Sequence, residues 1–511
     1  MDTRTILAIA LSIAILIGYQ FFVERTMPPA PKESPPSREA PAQPTPSSQP
    51  SSQAAQAPVS APAAAVREKT VSVENNLFKV TLSSRGAGVR SVELKNYRDE
   101  SGNLIVLKGD EIAPALSLGL DESFQFAHAD FTIRGKDSTL SSSERQTTLF
   151  FEHTSGGYAL RRTYTFSYDD YAFTVRDEVA GPASFWITLG RDFGIHKPDD
   201  SVHFGPVLLK NADREEFEVK SIKEPREFRE GIKWVAQEDK YFFSVIVPKT
   251  PVELARIWKK DDYAMVGLKV PAGQNEYLVY AGPKEYDRLK TYGFGLEHIV
   301  DFGWFSFLAV PLFWVLKLFY SVVHNYGTAI IILTVLVRIP FIPIANRGQK
   351  SMKKLQDLQP RIAEIREKHK KDPQTVQREI MELYKKNKVN PMGGCLPIVL
   401  QIPVFFALYK VLLIAIELRG APFMLWVHDL SAKDPYYVLP IVMGVTMVIQ
   451  QKMTPSGMDP KQQKIMMLMP IVFTFLFLNF PSGLVLYWLA NNVLSIGQQY
   501  FVNKKLEKQA A

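Results

Sequence analysis

Six long apolar runs occupy the second half of the chain, and they restrict its fold more than any other feature. They cover residues 302–323, 326–345, 396–416, 436–449, 465–480 and 484–502. An α-helix rises about 1.5 Å per residue, so about 20 apolar residues cross the roughly 30 Å hydrocarbon core of a bilayer. The second half is therefore predicted to be a polytopic α-helical membrane domain, in a chain of 511 residues that is long enough to be multi-domain.

A further apolar run, at residues 6–23, predicts how the chain begins. A signal peptide would have a shorter apolar region that ends in small residues, whereas this run ends in two phenylalanines and a valine. We expect an uncleaved transmembrane anchor over residues 1–25, with a cleaved signal peptide as the alternative. Arg4 precedes the run, and a short basic flank favours a cytosolic amino terminus. Residues 26–67 are rich in Pro, Ala and Ser, which predicts a disordered linker.

Between residues 68 and 282 the pattern changes to short alternating strands separated by turns. Gly156-Gly157 lies between two such strands and indicates a β-hairpin. The sequence therefore predicts a large all-β sandwich, on the periplasmic side if the amino terminus is cytosolic. Its histidines lack metal-ligand spacing, and it contains neither a nucleophile motif nor a dinucleotide loop. We expect a scaffold or docking surface with no cofactor and no enzymatic activity; binding of a sugar or peptide is the alternative.

A strongly basic segment, residues 346–391, orients the spans. Cytosolic loops of membrane proteins are enriched in Lys and Arg, so this segment is expected in the cytosol. Because the sandwich is expected outside, only one of the two apolar runs between sandwich and basic segment can span. The run that contains Pro311 and Lys317 reads as an amphipathic helix in the outer interface, with a re-entrant hairpin as the alternative.

These assignments predict six spans with both termini in the cytosol. Residues 283–324 would be connecting and interfacial amphipathic helices, and residues 325–503 a core of five spans. Residues 504–511 would be a cytosolic tail, which carries three lysines.

The basic segment is also predicted to fold as a helical hairpin. Asp372-Pro373 is typical of an N-cap followed by proline at the first helical position. Apolar side chains recur at spacings of three and four on both sides of it, namely Met352, Leu355, Leu358, Ile362, Ile365, Val376, Ile380, Leu383 and Tyr384. The free basic faces suit anionic lipid or an RNA-rich ribosome and its targeting machinery, without a specific nucleic-acid sequence; a merely solvated loop is the alternative.

Arg338 is a cation inside an apolar span. Insertion scales place the cost of such a charge at roughly 2.5 to 3.5 kcal/mol, so it usually faces a polar cavity or a partner. The predicted spans contain no Asp or Glu, and Glu417 lies at the outer end of the third. Thr334 lies one helical turn from Arg338 on the same face. Further neutral polar residues occur in the spans: Gln401, Thr446, Gln450, Thr474, Asn491, Asn492, Ser495 and Gln498. We expect a hydrated indentation centred on Arg338; snorkelling of its side chain to the cytosolic interface is the alternative.

Two other protein classes fit less well. A channel or transporter would have a ring of repeated charges, a filter loop or an inverted repeat, and none is evident. A periplasmic enzyme tethered to the membrane would need a catalytic motif in the sandwich. Cys395 is the only cysteine, which excludes a disulfide framework within the chain.

Several segments of the second half resemble the YidC family of bacterial membrane protein insertases. They are 333–338 (LTVLVR), 389–397 (VNPMGGCLP), 401–403 (QIP), 425–430 (LWVHDL) and 480–488 (FPSGLVLYW). The anchor, the linker and the large outer domain are similar in kind to the Gram-negative form of that family, in which the outer domain is a β-supersandwich.

The resemblance implies an insertase of the bacterial inner membrane. Its partners would be nascent inner-membrane proteins, the Sec translocon with its accessory subunits, and the ribosome and targeting receptor. It also implies a hydrophilic groove, open to cytosol and lipid, in which Arg338 is the central residue. By the same resemblance Thr334, Gln401, Pro403 and Trp488 would line that groove.

Overall fold

The computed structural model describes residues 68–99, 101–108, 114–190, 202–261, 263–370, 372–387, 389, 396–454 and 460–510. Residues Thr70–Ala511 form one compact unit. The predicted anchor and linker, residues 1–67, lie outside the described residues, as do residues 390–395 of the glycine-containing segment.

The first half of this unit consists of β-strands. The strands are β1 (Thr70–Glu74), β2 (Phe78–Ser83), β3 (Val89–Arg98), β4 (Leu104–Lys108), β5 (Ser117–Gly119), β6 (Thr132–Arg134), β7 (Ser138–Thr139), β8 (Gln146–Ser155), β9 (Tyr158–Ser167), β10 (Ala172–Thr188), β11 (Gly205–Lys210), β12 (Asp213–Glu216), β13 (Arg226–Phe228), β14 (Ile232–Glu238), β15 (Phe242–Pro248), β16 (Leu254–Lys260) and β17 (Tyr263–Pro283). The all-β prediction for this region is confirmed. The predicted hairpin is confirmed too, because Ser155 pairs with Tyr158 across Gly156 and Gly157, which both have positive φ.

The strands form two sheets that pack against each other. One has five strands in the order β4-β3-β2-β1-β7, and the other has twelve, nine of them in the order β12-β11-β14-β15-β17-β10-β9-β8-β6. Phe78 of β2 meets Phe166 of β9 between the sheets, with ring centroids 6.4 Å apart. Alternate residues of β1 and β2 are buried, as expected for strands with one face on a core. The arrangement is a β-sandwich.

A buried ion pair lies within the sandwich. The guanidinium of Arg162 donates to both carboxylate oxygens of Asp177, at 2.6 and 2.7 Å. The two side chains are 1% and 0% exposed, so the charges are fully desolvated and depend on each other. Arg162 also donates to the backbone oxygens of Leu116 and Ala87, which ties the connection after β2 to the core.

The remainder of the unit is helical. The α-helices are α1 (Tyr286–Tyr292), α2 (Ser306–Val323), α3 (Tyr326–Arg338), α4 (Ile342–Asp357), α5 (Gln359–Lys368), α6 (Pro373–Lys386), α7 (Leu396–Ile414), α8 (Val438–Met453), α9 (Pro460–Phe477) and α10 (Ser482–Ala510). Helices α3 and α4 are joined by a short 3-10 helix, Ile339–Phe341. Pro340 and Pro343 lie at this junction and lack the N–H that a continuous α-helix would use.

Among the described residues, two helical stretches are long and apolar enough to cross a membrane by length and composition, Ser306–Val323 and Tyr326–Asp357. Helices α7, α8 and α9 contain shorter apolar stretches, at Val399–Ile414, Val438–Met453 and Met466–Phe477. Helix α2 meets the same criterion as the stretch that comprises α3 and α4, although its sequence predicts an interfacial position. The number of six spans therefore stays a prediction.

The predicted helical hairpin is confirmed. Helices α4 and α5 form one arm and α6 the other, and Asp372 caps α6 by accepting from the N–H groups of Gln374 and Thr375, both at 3.2 Å. The apolar stripes of the arms pack in one cluster, which contains Leu355, Leu358, Ile362, Ile380 and Val389 with Met352, Ile365, Val376, Leu383 and Tyr384 around them.

The connection between α7 and α8 packs on the start of α3. The side chain of Asn325 donates to the backbone oxygen of Phe423 at 2.9 Å. Gly327 is needed there, because a Cβ on it would lie 2.0 Å from the ring of Phe423. Asp434 is fully buried and accepts hydrogen bonds from the indole of Trp426 and from two backbone N–H groups at the start of α8. This connection therefore closes the helical bundle at the end opposite the hairpin.

Candidate functional site

Arg338, at the end of α3, is held by α10. Its Nη1 donates to the backbone oxygen and to the side-chain oxygen of Asn491, at 2.9 and 2.7 Å. Its Nε and Nη2 donate to Oε1 of Gln498, at 3.4 and 3.2 Å. The amide of Gln498 in turn donates to the side chain of Asn346 on α4, at 2.7 Å. Four of the five guanidinium N–H groups therefore meet neutral oxygens in a defined orientation.

Arg338 has no carboxylate partner among the residues that the structure describes, because none of their Asp or Glu side chains forms an ion pair with it within 4.0 Å. Its side chain is only half-buried, so part of the guanidinium is accessible. Neutral acceptors satisfy the hydrogen-bond donors of the guanidinium but do not neutralise its positive charge. The long hydrogen bonds to Gln498 can be replaced by bonds to a better acceptor. The arrangement can accept an anion from outside the chain.

Arg338 faces a cavity of about 450 Å³ between α3, α4, α7, α8 and α10. The lining comprises Arg338, Phe341, Ala345, Gly348, Gln349, Met352, Gln401, Ile402, Phe405, Met447, Gln450, Thr454, Tyr487, Trp488, Asn491, Asn492, Ser495, Gln498 and Gln499. Amide side chains, most of them from α10, form a polar wall, and aromatic and aliphatic side chains form an apolar wall beside it. Such a lining accommodates both polar and apolar parts of a guest.

The polar wall comes mainly from α10, where Asn491, Ser495 and Gln498 recur at spacings of four and three. Asn492 and Gln499 lie beside them and face α8: the amide of Asn492 donates to Thr446 at 3.3 Å and that of Gln499 to Thr454 at 3.0 Å. Helix α10 therefore carries two polar stripes, one toward α3 and one toward α8.

The apolar wall is centred on Trp488. Its ring contacts those of Phe405 at 4.9 Å, Phe477 at 5.1 Å and Phe473 at 5.9 Å between centroids. Tyr487 precedes it, and its hydroxyl accepts from the amide of Gln401 at 3.4 Å. Helices α7, α9 and α10 therefore meet through aromatic side chains directly beside the polar wall.

The structure brings together some of the residues that the sequence singles out and separates others. Gln401 and Trp488 line the cavity with Arg338, but Thr334 and Pro403 are not among its lining residues. Thr334 is 2% exposed, and its hydroxyl donates to the backbone oxygen of Ile330 at 2.7 Å within α3. Pro403 lies inside α7. Of the other polar span residues, Gln450, Asn491, Asn492, Ser495 and Gln498 line the cavity, whereas Thr446 and Thr474 do not.

Sequence reasoning missed a second cation in a predicted span. Lys410 lies in α7, and its Nζ is 3.0 Å from a carboxylate oxygen of Asp301. The signal was available, because a lysine inside an apolar run is as unusual as the arginine of α3. Its partner could not be read from the sequence, since the two residues are more than one hundred positions apart. Among the described residues no group of three or more His, Cys, Asp or Glu could hold a metal ion.

Comparison with known proteins first defines a class. Residues 70–315 match the family model described as the YidC periplasmic domain, and residues 318–509 match that of the 60Kd inner membrane protein. The sandwich and the helical bundle with its arginine-centred cavity are thus both parts of one kind of inner-membrane protein.

Individual relatives support the same assignment over the whole chain. The chain is 41% identical over 539 residues to the membrane protein insertase YidC of Geotalea daltonii, covering 99% of this chain and 100% of that protein. It is 41% identical over 547 residues to the protein of the same name from Syntrophus aciditrophicus, with the same coverage. A crystal structure of an active YidC insertase with its first transmembrane domain resolved matches with a TM-score of 0.39 and 18% identity, covering 85% of this chain and 93% of that one. On the sequence identities, the chain belongs to the YidC family.

Proposed function

We propose that this chain is a membrane protein insertase and assembly chaperone, the activity for which its relatives are named. The observation that carries the proposal is Arg338, a cation in a predicted span with neutral partners only among the described residues, beside a cavity of about 450 Å³. The cavity acts as a hydrophilic groove that receives the polar flank of an incoming membrane protein.

The work of the groove is physical and involves no covalent chemistry. A substrate helix already favours the bilayer, because each Leu, Ile, Phe or Val at its centre contributes roughly −0.3 to −0.6 kcal/mol. The obstacle is the polar flank that has to cross. Arg338 offers that flank a countercharge, and the amides of α10 offer it hydrogen bonds. The membrane potential then favours outward passage of a negative charge by about 2.3 kcal/mol per 100 mV.

The apolar part of the substrate takes a different surface. The aromatic rings of Phe405 on α7, Trp488 on α10 and Phe473 on α9 converge beside the polar wall. A guest helix can lie against these rings while its polar flank occupies the groove. Gln401 and Trp488 are therefore proposed as substrate contacts together with Arg338, and Thr334 and Pro403 as residues that shape the helices behind them.

The topology proposed for this activity has six spans, of which five form the core, and the location is the bacterial inner membrane. Residues 1–25 serve as an anchor, both termini are cytosolic, and the sandwich is periplasmic. The hairpin, residues 346–391, and the tail receive nascent chains from the ribosome and targeting receptor and contact anionic lipid through their basic faces. The chain acts alone or beside the Sec translocon.

Photocrosslinking tests the proposal directly. A photoreactive amino acid replaces Gln401 in one variant and Phe150, an exposed residue of the sandwich, in a control. Membranes with the full chain are incubated with ribosome-stalled nascent chains of an inner-membrane protein. We expect adducts from position 401 and not from position 150. Equal labelling at both positions, or ion flux through vesicles without any substrate, would contradict the proposed function.

A further inference from the structure

Lys410 and Asp301 join the groove to the segment that follows the sandwich. Lys410 lies in the outer half of α7, and its side chain is 13% exposed. On the same helix, Gln401 and Phe405 line the groove. A lysine within a predicted span requires a partner, and Asp301, between the sandwich and α2, supplies it at 3.0 Å. The ion pair therefore connects α7, a helix that lines the groove, to a charged residue outside the predicted five-span core.

Asp301 is presented by a tight turn. Its other carboxylate oxygen accepts from the N–H of Gly303 at 2.8 Å. Gly303 has φ +73°, a backbone conformation that favours glycine. Burial by itself would raise the pKa of Asp301, but the charges of Lys410 and of Arg214 on the sandwich outweigh it and hold the pKa at about 2. Asp301 is therefore ionised at neutral pH.

The sandwich end of this contact is itself a charged network. Arg214 of β12 donates to Glu238 of β14 at 2.6 Å and also to Glu216. Glu238, 1% exposed, is 2.8 Å from Nζ of Lys284 just after β17. These buried, alternating charges fix the place of Arg214. Because the charge of Arg214 acts on Asp301, the network extends electrostatically to the turn that holds Lys410.

Two further residues, Phe406 on α7 and Arg419 beyond its end, contact the sandwich side. Phe406 of α7 stacks on Phe305, with ring centroids 6.3 Å apart. Beyond the end of α7, Arg419 donates to the backbone oxygen of Arg98 at 3.0 Å. Its guanidinium also lies over the rings of Tyr241 and Phe242, at 5.3 and 5.1 Å. The contacts therefore fall on the outer half of α7 and on the residues that follow it.

We infer that Lys410 is a positioning residue: its ion pair with Asp301 fixes the helix that forms one wall of the groove, so that the sandwich side of the protein sets the width of the substrate site. Lys410 need not touch substrate. The pair holds α7 from outside while Gln401 and Phe405 meet the guest. The consequence for insertion rests on the proposed function, whereas the position of α7 does not.

Distances between two nitroxide labels, measured by double electron–electron resonance, test the position of α7. Cys395, the only cysteine, is replaced by serine, and nitroxide labels are attached to cysteines at the exposed positions Val399 on α7 and Val493 on α10. The full chain is reconstituted in lipid nanodiscs. We expect Lys410→Met to broaden the distance distribution. The ratio of molecules with α7 in its parental position to those with α7 displaced should fall roughly fivefold, which corresponds to about 1 kcal/mol for a partly exposed pair.

Three variants make the test specific. Asp301→Asn leaves α7 itself unchanged and is expected to broaden the distribution in the same way. Exchange of the charges, Asp301→Lys with Lys410→Asp, is expected to restore the narrow distribution. Lys249→Met removes an ion pair of similar length, 2.9 Å to Glu276 on the sandwich, and is expected to change nothing. A parental distribution in both single variants, or no recovery in the exchanged pair, would overturn the inference.

Two further readouts separate positioning from chemistry. In vesicles, Lys410→Met is expected to lower insertion of acidic and neutral substrates alike, roughly fivefold, because the groove changes shape rather than charge. Selective loss of acidic substrates would instead place Lys410 in direct contact with substrate and refute a positioning role. The pKa of Asp301 lies below its ordinary value of 3.8. The ion pair with Lys410 therefore stabilises the position of α7 fully above pH 3.8, and this stabilisation is lost as Asp301 becomes protonated toward pH 2. The distance distribution is therefore expected to be the same at pH 8 and pH 5.

Discussion

Replacing Arg338 by alanine should impair insertion of substrates according to the charge of their translocated tails. Among the described residues the guanidinium donates only to neutral acceptors, and its hydrogen bonds to Gln498 are long, at 3.2 and 3.4 Å. A substrate carboxylate would displace Gln498 and add the attraction of an opposite charge to hydrogen bonds whose donor is already ionised. The variant loses this interaction, while the amide wall of α10 stays in place.

The size of the effect follows from these hydrogen bonds. A hydrogen bond to a charged group contributes about 1.5 to 3 kcal/mol, and the guanidinium already makes such bonds to the neutral oxygen of Gln498. A carboxylate in its place adds the Coulomb attraction of an ion pair, about 1 kcal/mol for exposed groups and more where water is partly excluded. We therefore expect a gain of about 1 to 1.5 kcal/mol, which is roughly tenfold in the population of the bound state. Because Arg338 is half-buried, solvent screens part of this gain, and tenfold is an upper expectation.

The assay uses vesicles that contain the purified chain and a model substrate with one apolar helix and a short translocated tail. The tail carries two aspartates in one version and two asparagines in the other, and insertion is measured by protection from added protease. Arg338→Ala should reduce insertion of the aspartate version by up to roughly tenfold and that of the asparagine version less than twofold. Arg338→Lys, which keeps the charge but not the planar fork, should fall between wild type and alanine. Equal losses for both tails would refute charge pairing.

Other parts of the molecule give further expected outcomes. Deletion of residues 358–387, the part of the hairpin that does not line the cavity, should abolish crosslinking of ribosome-stalled nascent chains to the core; unchanged adducts would exclude this part as a receiving site. Asp177→Asn should lower the free energy of unfolding of the sandwich by about 3 to 5 kcal/mol, because Arg162 would stay buried without its countercharge. Denaturant titration measures this, and adding Arg162→Met should recover part of the loss. Gly444→Ala should lower the melting temperature, because a Cβ would lie 2.0 Å from the hydroxyl of Thr474 on the neighbouring helix. Thr474→Ala should then partly compensate, and an additive double variant would argue against this contact.

Much of the architecture follows from patterns of neighbouring residues. Alternation of apolar and polar residues predicts the strands, and spacings of three and four predict both arms of the hairpin, including the Asp372 cap. These features are local, because a helix or strand presents residues at fixed spacings to one face. Arg338 can also be recognised from its own segment, because burying a cation in an apolar span costs free energy however the helix packs.

The composition of the site depends on how helices meet. Spacing places Thr334 on the face of α3 that carries Arg338, yet its hydroxyl bonds within the helix and it does not line the cavity. Gln499 was not singled out from the sequence and lies in the lining. The rotation of α10 about its own axis decides which of its amides face Arg338 and which face α8, and packing against α3, α4, α7, α8 and α9 sets that rotation.

From the residue order alone came the kind of protein: an all-β domain, a helical membrane part, a basic hairpin and an isolated arginine in an apolar span. Those properties depend on the periodicity of side chains and on the free energy of moving charge out of water, which act within one segment. Only the folded chain decided that Asn491 and Gln498 hold Arg338, and that Lys410 finds its carboxylate in Asp301. The reason is that packing across the whole bundle brings together residues that are distant in sequence. A local sequence pattern does not show which distant residue will be the partner.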